Sequence, residues 1–297
     1  MEHHKPVIAG FGEILWDLLP SGKQLGGAPA NFAYHAGVLG SEAFPVSCVG
    51  MDDSGLEILQ LLGKKGISGE YLSSDLIHPT GSVSVILGMN GVPSYTIHEN
   101  VAWDFIPWSE KLADLSGRLD AVCFGSLAQR AEMSRETLRK FLDMLHPGCL
   151  KVFDINLRQH YFTPELIREN FLRSDILKLN DGELDVISGM MNLTGNENEM
   201  LLQLMTQFSL QMIALTKGEK GSVLMTPTEY SSVKAQPVEI ADTVGAGDAF
   251  TAAMTLGWLR KQPLSLIHQQ SDRLAGYVCS QNGAMPVIGD EILKQLE

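Results

Sequence analysis

The chain has 297 residues, 44% hydrophobic and 19% charged, and its 35 acidic against 22 basic residues give a formal charge of −13. This composition is typical of a soluble globular protein with one large α/β domain, and an acidic chain without a basic stripe is not expected to bind nucleic acid. No apolar run reaches transmembrane length and residues 1–6 lack the apolar core of a signal peptide, so we expect a cytoplasmic protein with no membrane partner.

Short apolar runs alternate with helical patterns along most of the chain, an order that predicts a mostly parallel sheet with helices on both faces. The runs predicted to be strands are residues 7–10, 46–49, 121–124, 152–155, 176–179 and 212–215. Sheets of this kind bind ligands at the carboxyl ends of their strands. The polar residues after the last three runs are Asp154, Asn156 and Arg158, then Asn180 and Glu183, then Thr216 and Gly218.

A hairpin interrupts this pattern. Residues 82–89 and 92–100 flank Asn90 and Gly91, a strong signal for a two-residue turn. Together with residues 14–19 they are predicted to form a small sheet beside the main domain. No internal repeat or long linker is visible, so we expect a single domain over residues 1–297, with the small sheet built from about 13–26 and 80–105.

The cysteines are widely separated, at Cys48, Cys123, Cys149 and Cys279. Three of them lie in apolar surroundings typical of strands or helices. Their spacing fits neither a disulfide framework nor a zinc site, so we expect free thiols, mostly buried, in a reducing compartment.

A glycine-rich turn at residues 242–248 leads directly into a predicted helix at residues 249–260. Gly245 and Gly247 have no Cβ, so the backbone can approach an anion closely, and the start of a helix favours negative charge. Asp248 lies at the junction, where it could accept the proton of an attacking hydroxyl in phosphoryl transfer. The alternative is an ordinary helix start, because Asp is common there and Gly is common in tight turns.

Other nucleotide-binding motifs are absent from the sequence. It contains neither the Gly-x-x-x-x-Gly-Lys-Ser/Thr of a P-loop nor the His-Arg-Asp of a protein kinase. Gly10 and Gly12 follow a predicted strand, but the third glycine of a dinucleotide-binding motif is missing.

Two segments resemble the signatures of the ribokinase-type (PfkB) carbohydrate kinases. The first is Gly26-Gly27-Ala28-Pro29-Ala30-Asn31-Phe32-Ala33, followed at the family's spacing by Gly40 and Gly50. The second is Asp242-Thr243, Gly245-Ala246-Gly247-Asp248 and Ala252-Ala253-Met254-Thr255. The resemblance extends over essentially the whole chain. It implies a ribokinase-like three-layer αβα domain with a mostly parallel sheet and a small β-sheet lid, which in this family covers the sugar and often pairs two subunits, so a homodimer is expected.

The resemblance also implies roles for individual residues. Asp248 corresponds to the catalytic base, Gly245, Ala246 and Gly247 to the anion hole, and Arg158 to a residue beside the transferred phosphoryl group. The residues implied to contact the sugar are Asp17, Gly26, Gly27, Asn31 and Asp248, with Trp103, Asp104 and Glu13 as weaker candidates. Asp17 could instead be an exposed turn residue before Pro20, and Trp103 could simply pack between the two parts of the protein.

ATP and Mg²⁺ are the cofactors that the resemblance implies. The residues implied to bind ATP are Asn180, Thr216, Gly218, Gly221, Gly245, Gly247, Asn282 and Gly283. Glu183 would hold magnesium through water, although Asn180 and Glu183 also fit a helix cap. Asp242 and the carbonyl of Val244 correspond to a monovalent-cation site, for K⁺, found in many members.

The N-terminal motifs favour fructose as the substrate. Residues 12–17, Gly-Glu-Ile-Leu-Trp-Asp, followed by Gly-Gly-Ala-Pro-Ala-Asn, look more like bacterial fructokinases than ribokinases, which usually carry Gly-Lys-Gly where this chain has Gly27-Ala28-Pro29. Kinases of 2-keto-3-deoxygluconate share the Gly-Gly-x-x-x-Asn pattern and remain an alternative, as does ribokinase. A non-catalytic sugar sensor of the same fold is a further alternative, but it would not need Asp248.

Overall fold

The computed structural model describes residues 5–19, 22–87 and 93–296. Within these ranges, nine strands form one large sheet and four form a second, smaller sheet. None of the helices in the described ranges is both long enough and apolar enough to cross a membrane.

The strands of the large sheet alternate along the chain with the helices that cover it. The strands of both sheets, in chain order, are β1 (Val7–Phe11), β2 (Leu15–Leu19), β3 (Gly22–Gly26), β4 (Glu42–Gly50), β5 (Leu72–Asp75), β6 (Ser82–Leu87), β7 (Pro93–Ile97), β8 (Ala121–Phe124), β9 (Leu150–Asp154), β10 (Ile176–Asn180), β11 (Met212–Thr216), β12 (Ser222–Met225) and β13 (Tyr230–Val233). The helices are α1 (Ala28–Val38), α2 (Asp53–Lys64), α3 (Glu110–Ser116), α4 (Glu132–Asp143), α5 (Pro164–Leu172), α6 (Asp181–Met191), α7 (Glu197–Phe208), α8 (Ala246–Leu259), α9 (Leu264–Cys279) and α10 (Asp290–Lys294).

The large sheet has the order β13-β12-β11-β10-β9-β8-β1-β4-β5. The strands from β11 to β5 are parallel, and at one edge β12 pairs antiparallel with β11 and β13 pairs antiparallel with β12. All six strands predicted from apolar runs are present, which confirms the predicted mostly parallel sheet. The chain order reverses between β8 and β1, and crevices at such points commonly bind ligands.

The predicted strand-end residues lie along one edge of this sheet. Asp154, Asn180 and Thr216 are the last residues of β9, β10 and β11. Because these strands are parallel and adjacent, the three side chains lie at the same end of the sheet.

Apolar side chains on both faces of the sheet form the core. Along β1, Ile8 faces one layer, with α1, α8 and α9, while Val7 and Phe11 face the other, with α3 to α7. This alternation follows from the period of two along a strand. Because helices cover both faces of the sheet, side chains on either face are buried, and the strands are therefore apolar without a break.

The small sheet has the order β3-β2-β6-β7. β6 and β7 pair antiparallel as the hairpin prediction requires, and β2 runs parallel to β6. The predicted Asn90-Gly91 turn lies outside the described residues. Two side chains tie β7 and its end to the loop after β9: Gln159 Nε2 donates to the carbonyl of Tyr95 at 2.8 Å, and the Tyr161 hydroxyl donates to Glu99 at 2.7 Å.

All four cysteines are free thiols. Cys48, Cys123 and Cys149 are buried, and Cys279 is partly exposed. This agrees with the prediction made from their spacing.

Candidate active site

The turn before α8 has the backbone geometry of an anion-binding site. Gly245 precedes the helix with φ 81°, in the left-handed region that favours glycine. α8 then begins at Ala246, earlier than predicted, so the N–H groups of Gly247 and Asp248 lie in its first turn, where the helix itself provides no acceptor. The three residues predicted as an anion hole therefore form a turn-to-helix junction whose dipole favours negative charge.

Asp248 is not the residue that caps α8, because Gly245 occupies the capping position. Its carboxylate is half-buried, and Oδ2 accepts a hydrogen bond from Nδ2 of Asn31 at 2.8 Å. Burial, and after it the charge of Asp154, raises the pKa of Asp248 to about 7. A carboxylate with that pKa can take up and release a proton near neutral pH.

Asp17 lies on β2, at the inner side of the small sheet. Its carboxylate rests against the backbone of Gly26, where an added Cβ would lie 2.3 Å from Oδ2. Burial, and after it the charge of Asp242, raises the pKa of Asp17 to about 6, while Arg158 opposes this shift. Asp17 is therefore close to two residues that come from distant parts of the chain, and it is not the exposed turn residue of the alternative interpretation.

The first turn of α1 joins Asp17's side of the site to Asp248. Gly27 precedes α1 with φ 110°, and an added Cβ would lie 2.4 Å from the carbonyl oxygen of Glu13. Asn31, one turn later, is the residue that contacts Asp248. The glycine pair and the asparagine predicted for the sugar end thus lie between the two aspartates.

Glu13 is a buried carboxylate, only 3% exposed, next to the start of α1. Its Oε2 has no hydrogen-bond partner among the described residues. Burial raises the pKa of Glu13. An unpartnered buried oxygen is a candidate contact for a polar ligand, so Glu13 is a stronger candidate than the sequence indicates.

Arg158 is exposed and lies in the loop after β9. Its Nη1 donates to the carbonyl of Leu157 at 3.1 Å. Its charge lowers the pKa of both Asp17 and Glu13 against the larger effect of burial.

Asn180 and Glu183 form the predicted helix cap of α6. The N–H of Glu183 donates to Asn180 Oδ1 and the N–H of Asn180 donates to Glu183 Oε2, both at 2.8 Å. The other carboxylate oxygen of Glu183 accepts from the N–H of Leu157 at 2.9 Å. Each oxygen retains a second lone pair, so Glu183 fits the role of holding a magnesium-bound water while it also caps the helix.

The described residues contain no cluster of three or more His, Cys, Asp and Glu side chains that could hold a metal ion. A magnesium ion at this edge of the sheet would therefore take most of its ligands from phosphate oxygens and water, as magnesium usually does beside nucleotides.

The residues predicted for the nucleotide follow β11. Thr216 ends that strand, and Gly218 is exposed with φ 53° and open space where a Cβ would be. Gly221 is different: an added Cβ would lie 2.0 Å from the carbonyl oxygen of Val233, so this glycine is required by packing against β13. Asn282 is exposed and precedes Gly283 in a bend after α9.

Asp242 connects the turn before α8 to that bend. Its Oδ1 accepts from the N–H of Val244 at 3.0 Å and its Oδ2 from the N–H of Gly283 at 3.2 Å. The carboxylate keeps a free lone pair on each oxygen and the carbonyl of Val244 remains nearby in sequence, so the donor types of the predicted monovalent-cation site are present.

Trp103 is fully buried, with 0% of its surface exposed. Its ring lies under the guanidinium of Arg130, 4.0 Å from the ring centroid, and Arg130 forms two hydrogen bonds with Asp104 at 2.7 and 2.8 Å. In this position the indole contributes to packing at the base of the small sheet and offers no surface to a ligand.

Lys178 and Thr251 are site residues that the sequence analysis missed. Lys178 lies within β10 and Thr251 within α8, and both contact Asp154, at 3.0 Å each. The sequence does indicate a special role for Lys178. A lysine among apolar residues, in a strand that helices cover on both faces, must be paired if it is buried. Thr251 carried no comparable signal.

Comparisons with known proteins concern the sequence and the fold of the chain as a whole. A sequence profile described as pfkB family carbohydrate kinase matches residues 21–289. The Escherichia coli protein named fructokinase is 30% identical over 259 residues, covering 83% of this chain and 82% of that protein. The structure of an uncharacterized sugar kinase, PH1459, from Pyrococcus horikoshii has a TM-score of 0.80 at 27% identity and covers 97% of both chains. A fructokinase from Xylella fastidiosa with bound ATP has a TM-score of 0.84 at 20% identity, covering 99% of this chain and 98% of that one.

Proposed function

Because this chain belongs to the pfkB family of carbohydrate kinases and has the ribokinase-like fold, we propose that it transfers the γ-phosphoryl group of ATP to a primary hydroxyl of fructose. The observation that carries the proposal is Asp248, a carboxylate with a pKa of about 7 in the first turn of α8, beside N–H groups that no helical carbonyl satisfies. Base and anion-binding groups together are what phosphoryl transfer requires of a protein.

In the proposed reaction, the sugar hydroxyl oxygen attacks the γ-phosphorus while Asp248 accepts the hydroxyl proton. The bond from the γ-phosphorus to the bridging oxygen breaks, and ADP leaves with that oxygen. The N–H groups of the turn from Gly245 to Gly247 stabilise the charge on the transferred group. Arg158, whose side chain is exposed, clamps phosphoryl oxygens with its planar fork.

At the sugar end, we assign hydroxyl binding to Asp17, Asn31 and the glycine pair at 26 and 27. The carboxylate of Asp17 is largely withdrawn from water, which raises its pKa, and vicinal hydroxyls of a sugar would compensate by donating hydrogen bonds to it. Fructose is favoured because the Escherichia coli relative is named fructokinase and because residues 12–17 and 26–31 match that group.

At the nucleotide end, we assign ATP contacts to Thr216, Gly218, Asn180 and the segment at 282–283. Glu183 would hold a magnesium-bound water, and magnesium would neutralise phosphate charge when bound. Asp242 and the Val244 carbonyl would hold a monovalent cation behind the anion hole. Support for these assignments comes from the donor types described above and from ATP in the structure of the Xylella fastidiosa protein.

We also assign the small sheet to pairing of two copies of the chain. Leu18 on β2 is 39% exposed and Tyr95 on β7 is 58% exposed, so the sheet carries apolar side chains on its surface. Light scattering of the purified protein tests this assignment: a dimer supports it, and a monomer at all concentrations rejects it.

One activity panel tests the proposed function. ATP is supplied with fructose, ribose, 2-keto-3-deoxygluconate, tagatose and nucleosides, and kcat/KM is measured for each. Fructose should give the highest value. A preference of about tenfold or more for ribose or a nucleoside, a difference of about 1.4 kcal/mol in barrier, would reject fructose while keeping the kinase. Sugar binding without phosphorylation of any acceptor would support the sensor alternative.

A further inference from the structure

Lys178 is a buried lysine in a strand whose neighbouring residues are apolar. It is 8% exposed and lies in the middle of β10, between Leu177 and Leu179. A buried ammonium group is strongly unfavourable unless a negative charge and hydrogen bonds compensate it. Its partner is Asp154 at the end of β9, with Nζ 3.0 Å from Oδ1.

The pair is connected to α8. The second oxygen of Asp154, Oδ2, lies 3.0 Å from the hydroxyl of Thr251, which is also 2.9 Å from the carbonyl oxygen of Gly247. The single proton of that hydroxyl is therefore shared between a carboxylate and the first turn of the helix. Asp154 thus links two strands of the sheet to the helix that carries the anion-binding turn.

Lys178 also lies directly behind that turn. An ideal Cβ built on Gly247 would be 3.1 Å from Nζ, which means that the ammonium group occupies the space next to the Gly247 backbone. A side chain at position 247 would force the ammonium group to move by a few tenths of an ångström. The positive charge of Lys178 therefore lies next to the backbone of the turn that would face a transferred phosphoryl group.

The charges around Asp248 come from four elements. The titratable groups that face it are Asp154 on β9, Lys178 on β10, Glu13 after β1 and Cys123 on β8. Among these groups, Lys178 alone is cationic. Burial by itself lowers the pKa of Lys178, but Asp154, Glu183 and Asp248 together raise it above its ordinary value, so the lysine is protonated.

We propose that Lys178 is a positioning residue: together with Asp154 it fixes the first turn of α8, and against the negative charge of Asp154 it provides the buried positive charge that favours the ionised form of Asp248. The inference rests on the proposed function, because it assigns Asp248 to proton transfer. A purely structural ion pair would support the fold in the same way but would leave the ionisation of Asp248 unchanged.

Two substitutions separate these roles, because they remove opposite charges from the same pair. Lys178→Met removes the cation, so the pKa of Asp248 should rise. The acid limb of the pH profile, the range in which kcat falls as Asp248 is protonated, should therefore move to higher pH. At a pH below that limb, kcat should fall about tenfold for every pH unit by which the limb moves. Asp154→Asn removes the anion that, after burial, contributes most to the raised pKa of Asp248, so the limb should move to lower pH. KM for ATP and for the sugar should change little in both variants.

The matched control is Lys151→Met. Lys151 lies near the beginning of β9 and pairs with Asp175 at 3.4 Å, at the opposite end of the strand from Asp154 and the first turn of α8. Its loss removes an ion pair of the same type, and the pH profile should not move. The double variant with Lys178→Met and Asp154→Asn should have a limb between those of the two single variants.

The inference is overturned if Lys178→Met keeps the original limb, or if both single variants move it in the same direction. If Lys178→Met does not fold, Asp154→Asn decides alone, and a limb that does not move to lower pH rejects the inference. An unmodified chain that phosphorylates no sugar at all would instead reject the proposed function, so the two failures are distinguishable.

Discussion

Asp248 combines features that a helix-capping residue does not need. Its carboxylate makes no capping bond, accepts a hydrogen bond from Asn31 and has a raised pKa. We therefore expect Asp248→Asn to lower kcat by at least about a hundredfold, since loss of a general base typically costs about 10²–10⁴-fold. KM values and the melting temperature should change little. A variant with near-normal kcat would remove Asp248 as the base.

The raised pKa of Asp248 has a consequence for the pH profile. Only the ionised carboxylate can accept a proton, so kcat should fall as the pH decreases through about 7 and reach a plateau above it. Steady-state rates with both substrates saturating measure this limb. An acid limb near pH 4, the ordinary value for an aspartate, would contradict the assignment.

Asp17 should affect the sugar and not the nucleotide. Asp17→Ala removes the carboxylate that rests on Gly26, so we expect a strongly raised KM for the sugar and an almost unchanged KM for ATP. Initial rates with each substrate varied in turn provide the measurement. Equal damage to both KM values would mean that Asp17 supports the fold.

At the scale of elements, the small sheet and the loop after β9 form one connected unit. Gln159 and Tyr161 hold the loop that carries Arg158 against β7 and Glu99. If the sheet closes over the sugar, saturating fructose should slow hydrogen exchange in β6 and β7. Tyr161→Phe, which removes only the hydroxyl that contacts Glu99, should weaken this protection. Unchanged exchange with saturating sugar would argue against closure.

The elements differ in how far the sequence predicts them. Unbroken apolar runs indicate β1 and β8 to β11 because both faces of the sheet are covered, and the Asn90-Gly91 signal indicates the hairpin of β6 and β7. The sequence pattern predicts too late a start for α8, because the left-handed backbone of Gly245 lets the helix begin within the glycine-rich turn. The contacts of Asp154 with Lys178 and Thr251 join three elements, and no local periodicity encodes them.

For the whole molecule, stability depends on the layer of aromatic side chains beneath the site. Phe153 on β9 is 0% exposed and contacts the rings of Phe124 and Phe171, with centroids 5.4 and 6.0 Å apart. Phe153→Ala should lower the free energy of unfolding by about 3–5 kcal/mol. Leu172→Ala, at a residue 63% exposed next to Phe171, should change it by less than about 0.5 kcal/mol. Urea unfolding curves of both variants make the comparison, and equal losses would contradict it.

The hydrogen bond between Asn31 and Asp248 joins residues 217 positions apart. During synthesis, the ribosome makes the small sheet and α1 early and α8 late, and chains fold broadly from the N-terminus onward. A chain interrupted before residue 245 would therefore contain Asp17, Asn31 and Arg158 but lack Asp248 and the anion-binding turn. Such a fragment could not transfer a phosphoryl group, so the order of translation itself delays catalysis until nearly the whole chain has been made.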